Sequence, residues 1–71
     1  MELPKSIIYD LEGYRGFNKV EFPLAIERKL GRYVAHYSHD KAEYSLACQW
    51  GDTEEEAREK LYKEARLYHL I

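Results

Sequence analysis

The chain of 71 residues has little of several residue types, and each shortage excludes a kind of protein. Its only cysteine, Cys48, excludes an internal disulfide, and no group of histidines and cysteines has zinc-ligand spacing. Asn and Gln occur once each beside 34% charged residues, a combination typical of thermostable proteins. No apolar run is long enough for a signal peptide or a membrane span. We therefore expect a cytoplasmic protein with no membrane partner.

The charge is nearly balanced, with 11 basic and 13 acidic residues and a net charge of −2. Such a balance makes broad binding to nucleic acid unexpected. The length suits one small domain, which buries only about 60% of the surface that its unfolded chain exposes. Small domains without disulfides or metals commonly gain stability by association. The composition therefore predicts a homo-oligomer, either a dimer or a tetramer.

The clearest element is a helix between Gly51 and Tyr68. Thr53 and Glu56 have the spacing of a capping box, and acidic residues crowd the first turn. Two oppositely charged pairs lie four residues apart, Glu56 with Lys60 and Glu59 with Lys63. One apolar stripe consists of Ala57, Leu61, Ala65 and Tyr68. The stripe predicts that the helix packs on a surface formed by earlier residues.

Three earlier stretches alternate with a period of two and predict strands: Val20–Lys29, Arg32–Ser38 and Glu43–Trp50. Leu30-Gly31 and residues 39–41 read as the turns between them. Pro23 has no amide hydrogen, which predicts an edge strand or a bulge. Short connections favour an antiparallel meander. The predicted fold is α+β, a three-stranded meander followed by one C-terminal helix in two layers (β-β-β-α).

The alternation also predicts which side chains meet the helix. In the first strand, Val20, Phe22, Leu24 and Ile26 share a face. In the third strand, Tyr44, Leu46, Cys48 and Trp50 share a face. We predict that these two sets support the helix, with Cys48 as a buried structural thiol. In the middle strand Val34 lies on one face and the tyrosines on the other, so the pattern does not decide which face points inward.

The first 19 residues are hardest to interpret. Ser6–Tyr9 fits a short strand or the start of a helix, and Gly13 and Gly16 indicate a turn or loop within residues 11–18. We describe residues 1–19 as an N-terminal arm that packs on the domain or on a neighbouring subunit. Residues 20–71 form the single predicted domain.

Two segments resemble the HicB-like antitoxin family. They are Gly31–Ala35, Gly-Arg-Tyr-Val-Ala, and Cys48–Ala57, Cys-Gln-Trp-Gly-Asp-Thr-Glu-Glu-Glu-Ala. The resemblance spans residues 22–68. It implies a partial double-stranded-RNA-binding-like fold of three strands and a helix. It also implies a non-catalytic protein that self-associates and that binds and occludes a small HicA-type RNA-cleaving toxin.

Two alternatives stay open. One is a small RNA-binding module, with Arg28, Lys29 and Arg32 as the candidate phosphate contacts. The same residues also fit a solvated hairpin end, which we favour because the helix starts with acidic residues. The other alternative is a stand-alone oligomeric protein without a toxin partner.

Seven tyrosines exceed what one small core can hold, and tyrosine is enriched at interfaces. Tyr14 and Tyr68 belong to this surplus. The candidate interface residues are Tyr33, Tyr37, Tyr62, Leu70 and Ile71. No nucleophile–base pair, metal cluster or cofactor motif stands out among the three histidines, the cysteine and the carboxylates. We therefore predict no catalytic residues, no metal and no cofactor.

Overall fold

The computed structural model describes residues 2–13, 16–39 and 45–71, which form a four-stranded antiparallel sheet and one helix. The elements are β1 (Ser6–Gly13), β2 (Gly16–Lys29), β3 (Arg32–Ser38), β4 (Ser45–Gly51) and α1 (Glu54–Leu67). The strands lie in the sheet in the order in which they occur in the chain. The α+β class, a meander followed by one helix, is confirmed, but the predicted number of three strands is wrong. Residues 40–44, including part of one predicted turn and the predicted start of the last strand, lie outside the described residues.

The additional strand is β1, which lies within the segment that we described as an arm. It pairs with the first half of β2, from Ser6 opposite Pro23 to Gly13 opposite Gly16. The ladder therefore runs through residues 11–13 and 16–18, where a turn or loop was expected. Both faces of β1 carry apolar side chains, since Ile7 is buried and its neighbour Ile8 is exposed. This hides the alternation by which a half-buried strand is recognised.

Pro23 marks the point at which β2 changes partners. The described β2–β3 ladder begins at Leu24 opposite Tyr37, where the β1 ladder has just ended. The Leu24 amide donates to the Lys5 carbonyl on the β1 side at 2.8 Å. Because successive residues direct their amides to opposite edges, residue 23 would donate towards β3, and proline cannot. The prediction of an edge strand is wrong for β2 as a whole, because β2 lies between two strands.

The helix packs across β3 and β4, and the β-sheet register shows which side chains face it. Tyr37 lies opposite Ala47, and Tyr33 lies opposite Gly51. Ala47 is buried, and Gln49 Nε2 donates to Glu64 Oε2 on the helix at 2.8 Å. Cys48 and Trp50 therefore lie on the opposite face. Our prediction that they support the helix is wrong, because Ala47 and Gln49 occupy the side of β4 that faces it.

The close approach of α1 to the sheet occurs at Gly51. An added Cβ would lie 2.5 Å from the Ala57 nitrogen and 3.0 Å from the Glu56 carbonyl carbon. The helix start is held there by Thr53, whose Oγ1 accepts from the Glu56 amide at 3.0 Å, as the capping box predicts. Glu56 Oε2 in turn accepts from the Asp52 amide at 3.3 Å, one residue before the expected position. A strand end without a side chain thus lets the first turn of α1 lie directly on the sheet.

The core lies between α1 and the sheet. Its fully buried large side chains are Tyr37, Phe22 and Leu61, and burying each such side chain contributes roughly 1.5–3 kcal/mol. Ala57 and Ala65 of the predicted stripe are also fully buried, whereas Tyr68 is exposed. The two predicted helix ion pairs form, at 3.1 Å for Glu56–Lys60 and 3.4 Å for Glu59–Lys63.

The chain segments at both ends of the core are tied down by hydrogen bonds. The Tyr37 hydroxyl donates to the Pro4 carbonyl at 2.6 Å. At the end of α1 the Leu70 amide donates to the Ala65 carbonyl at 2.8 Å, while His69 has a positive φ of 57°. This is a Schellman arrangement, which turns the chain so that Leu70 packs against the core.

Candidate functional site

The face of the sheet opposite α1 is covered by no element of the described part of the chain. A shallow groove of about 260 Å³ lies on this face. Its walls come from three strands: Glu27 and Lys29, then Val34, His36 and Ser38, then Ser45, Cys48 and Trp50. We call these residues the open face. On the open face a concave surface coincides with several chemically active side chains.

The composition of the open face follows from alternation and from cross-strand pairing. His36 and Ser38 are two residues apart on β3 and therefore share a face. His36 lies opposite Cys48 on β4, and Val34 lies opposite Trp50. Val34 is buried although it faces away from the helix. An apolar residue on the face opposite the tyrosines is the reason why the pattern of β3 did not decide which face is inward.

A β-bulge brings two serines together. Tyr37 lies opposite Ala47 but Ser38 lies opposite Ser45, so Leu46 is an extra residue on β4. In a regular strand Ser45 and Ala47 would share a face. The bulge turns Ser45 to the open face, where its Oγ lies 2.5 Å from Ser38 Oγ.

These side chains form a continuous hydrogen-bond network across three strands. His36 Nδ1 lies 2.7 Å from Ser38 Oγ, and His36 Nε2 lies 3.1 Å from Glu27 Oε2. Lys29 Nζ lies 3.4 Å from the same carboxylate oxygen. The hydrogen bond from His36, with the neighbouring Lys29 charge, lowers the pKa of Glu27 below its ordinary value of 4.5. Glu27 is therefore ionised at neutral pH and accepts hydrogen bonds only.

Cys48 differs from its prediction. Its side chain is exposed on the open face, so the prediction of a buried structural thiol is wrong. Partial burial raises the pKa of the Cys48 thiol, and the Glu64 charge raises it further. Because the thiolate is the reactive form, Cys48 is a weak nucleophile at neutral pH.

The predicted interface residues differ in burial. Tyr37 is fully buried, so its assignment to a surface is wrong. Leu70 is half-buried and packs against the core, as does Tyr33. Tyr62 is half-buried beside Arg66, whose guanidinium carbon lies 5.8 Å from its ring centre. Ile71 is exposed. Tyr14 lies outside the described residues.

The predicted RNA contacts are already engaged within the chain. Arg32 Nε lies 3.1 Å from Asp52 Oδ1, and Lys29 pairs with Glu27. Arg28 lies over the Tyr33 ring, at 5.9 Å from its centre. Basic side chains held by carboxylates and an aromatic ring at a hairpin end fit the solvated-end interpretation better than a phosphate-binding cluster.

The remaining histidines lie apart from the open-face network. The His39 ring meets Phe22 edge-on, with the ring centres 6.2 Å apart, and His69 occupies the exposed end of α1. Within residues 2–13, 16–39 and 45–71, no group of three or more His, Cys, Asp or Glu side chains could hold a metal ion.

Sequence reasoning missed the network because its members are distant in the chain. Glu27 lies nine residues before His36, and Ser45 lies seven after Ser38. The spacing of His36 and Ser38 on a predicted strand was the one available signal. Pairing them with Glu27 and Ser45 required the β-sheet register and the bulge, neither of which the sequence pattern shows.

Comparisons with protein-family models, with curated proteins and with solved structures found no match. Among the described residues, no helix has both the length and the apolar character needed to cross a bilayer.

Proposed function

We propose that the chain is an interaction protein of the HicB-like antitoxin kind, which self-associates and occludes a small basic RNA-cleaving toxin. The observation that carries the proposal is the open face. An amphipathic helix covers one side of the sheet, while the other side presents a shallow groove with Trp50 half-exposed. Aromatic side chains of this kind are enriched at protein interfaces.

The order of elements also supports the proposal. β2, β3, β4 and α1 follow one another as the family resemblance implies, and the Gly-Asp-Thr segment lies at the junction of β4 and α1. Within that segment Gly51 allows the helix to approach and Thr53 caps it. The motif therefore has a structural role in joining strand and helix, and the partner is proposed from the surfaces around it.

Charge favours a basic partner near the helix start. Asp52, Glu54 and Glu55 are exposed there, and their three carboxylates outnumber the two arginines that pair with them, Arg32 with Asp52 and Arg58 with Glu54. Complementary charge chiefly raises the rate of association and selects among partners. A basic toxin would therefore be drawn to this side of the molecule before it settles on the open face.

The test is co-expression with a small protein that is encoded next to this one and contains a Gly-Ser-His-like motif. We expect a stable complex and rescue of growth. If neither is obtained, the antitoxin proposal fails. Light scattering at tens of micromolar tests self-association separately, and a monomer throughout that range would contradict it.

Two matched variants locate the surface. Cys48→Arg places a long charged side chain on the open face at an exposed position, and Leu67→Arg does so on α1, where Leu67 is 70% exposed. We expect Cys48→Arg to abolish the complex and Leu67→Arg to retain it. The reverse result would assign the partner to the apolar end of the helix and overturn the choice of the open face.

A further inference from the structure

We propose that Ser38 is an activated nucleophile, with His36 as its general base and Glu27 as a positioning residue, and that the open face transfers acyl groups from small activated esters. This inference goes beyond the proposed binding function and does not depend on it. It rests on the two contacts of His36, at 2.7 Å to Ser38 Oγ and 3.1 Å to Glu27 Oε2. A hydroxyl, an imidazole and a carboxylate in this order are the components of a serine nucleophile site.

The direction of each hydrogen bond follows from the charge of Glu27. An ionised carboxylate only accepts, so His36 Nε2 must carry the hydrogen that is donated to Glu27. In the neutral imidazole the other nitrogen, Nδ1, is then a free acceptor, and Ser38 must donate to it. Ser38 Oγ in turn accepts from the Ser45 hydroxyl, which lies 2.5 Å away. With a neutral imidazole this assignment satisfies all three bonds, and it directs the Ser38 proton at a base.

The reaction step is an ordinary acyl transfer. Ser38 Oγ forms a bond to the ester carbonyl carbon while its proton passes to His36 Nδ1. The bond from that carbon to the alcohol oxygen then breaks, and the leaving alcohol takes the proton from His36. Water attacks the acyl-serine, His36 accepts a proton from the water, and Ser38 recovers its proton as the carboxylic acid leaves. The sum is ester plus water giving acid plus alcohol.

The position of Ser38 is compatible with such a substrate. Ser38 and His36 are half-buried at the groove, and the groove of about 260 Å³ is open to solvent. This volume lies near the lower limit for small-molecule sites, which indicates short acyl chains. Trp50 forms an apolar wall on which an aryl leaving group can lie. The bulge that turns Ser45 towards Ser38 is a feature that often re-aims side chains beside active sites.

The direct experiment is labelling with a fluorophosphonate probe. Ser38 Oγ forms a bond to phosphorus, fluoride leaves, and the adduct is read by intact mass and peptide mapping. We carry it out on the full chain with Cys48→Ala, which removes the neighbouring thiol. The expected result is one adduct, on Ser38, and none on Ser38→Ala. No adduct on Ser38, or equal labelling of Ser6, would overturn the proposal.

Variants of His36 test whether Ser38 is activated and not merely accessible to the probe. A general base contributes roughly 100-fold or more, so we expect His36→Gln and His36→Asn to slow labelling by about that factor. His69→Ala, at the exposed end of α1, is the control and should label at the original rate. Thermal unfolding by circular dichroism is measured for each, so that loss of fold is recognised and the better-folded His36 variant is used. Labelling that is unchanged without His36 would refute the activation.

Glu27 requires a readout that separates positioning from structure. We expect Glu27→Gln, which removes the charge, to slow labelling by roughly tenfold or more, and Glu27→Asp, which keeps it, to restore part of the rate. Hydrolysis of p-nitrophenyl acetate gives the second readout, a burst of one p-nitrophenolate per chain followed by turnover. Equal labelling rates in the Gln and Asp variants at equal thermal stability would show that the Glu27 charge has no positioning role.

Discussion

Replacing Gly51 with alanine is the sharpest test of how the helix lies on the sheet. The added Cβ would lie 2.5 Å from the Ala57 nitrogen, a backbone atom that cannot move without the helix. The helix in turn cannot move freely, because Thr53 caps its first turn through the Glu56 amide. Overpacking of this kind costs about 1–3 kcal/mol, and a clash with backbone belongs at the upper end.

The magnitude matters because the domain is small. A chain of 71 residues has a free energy of unfolding of about 4–11 kcal/mol, so a loss of about 3 kcal/mol is a large share. In a domain of this size each kcal/mol lowers the unfolding temperature by about 4–8 °C. We therefore expect Gly51→Ala to lower it by about 12–24 °C. Urea unfolding and thermal unfolding, both followed by circular dichroism, measure the change.

Gly31→Ala is the matched control. Gly31 has a φ of +74° and no atom within 4 Å of the added Cβ, so its cost is conformational alone, roughly 1–2 kcal/mol. Gly51→Ala should therefore lose more stability than Gly31→Ala. If it loses less, or if its urea midpoint equals that of the original protein, the close contact between β4 and α1 is refuted.

Three further predictions follow from single side chains. Leu30 is 95% exposed with a φ of 54°, so Leu30→Asn should stabilise the turn by about 0.5–1 kcal/mol in urea unfolding, and a loss would contradict the turn geometry. Tyr37→Phe removes the 2.6 Å bond to the Pro4 carbonyl and should cost about 0.5–1.5 kcal/mol, whereas an unchanged urea midpoint would show that the bond is absent. The pKa of Glu27 is lowered by its bond to His36, so its stabilising contribution is present above the ordinary value of 4.5 and is lost as pH falls through the lower folded value. Glu27→Gln should accordingly flatten the acid side of the stability–pH curve, measured by urea unfolding from neutral to acid pH, and an identical curve would be evidence against the lowered pKa.

The two faces of β4 show which part of the prediction from alternation was correct. The alternation of Cys48 and Trp50 against Ala47 and Gln49 was correct, but the choice of inward face was wrong. Apolar side chains normally face the core, and this rule favoured the cysteine and tryptophan. The side of β4 that meets the helix instead carries Ala47, Gln49 and Gly51, with Gln49 bonded to Glu64 and Gly51 against the first turn, and these contacts exist only in the tertiary structure.

The candidate site was outside the reach of the sequence for a related reason. His36 and Ser38 could be placed on one face by counting residues along a strand. Glu27 and Ser45 join them only through the register of β2 and β4 and through the bulge at Leu46. A shift of one residue in either register would turn the partner to the opposite face, so the network is decided by pairing and not by spacing.

What the sequence determined by itself is local. The capping of α1 by Thr53, the turn at Leu30-Gly31 and the bounds of β3 follow from residues within a few positions of one another, because capping, turn geometry and alternation are short-range effects. The tertiary structure decided which face of β4 is buried, the pairing of β1 with β2, and the assembly of the open face. Those outcomes depend on how closely distant elements approach, which no local pattern specifies.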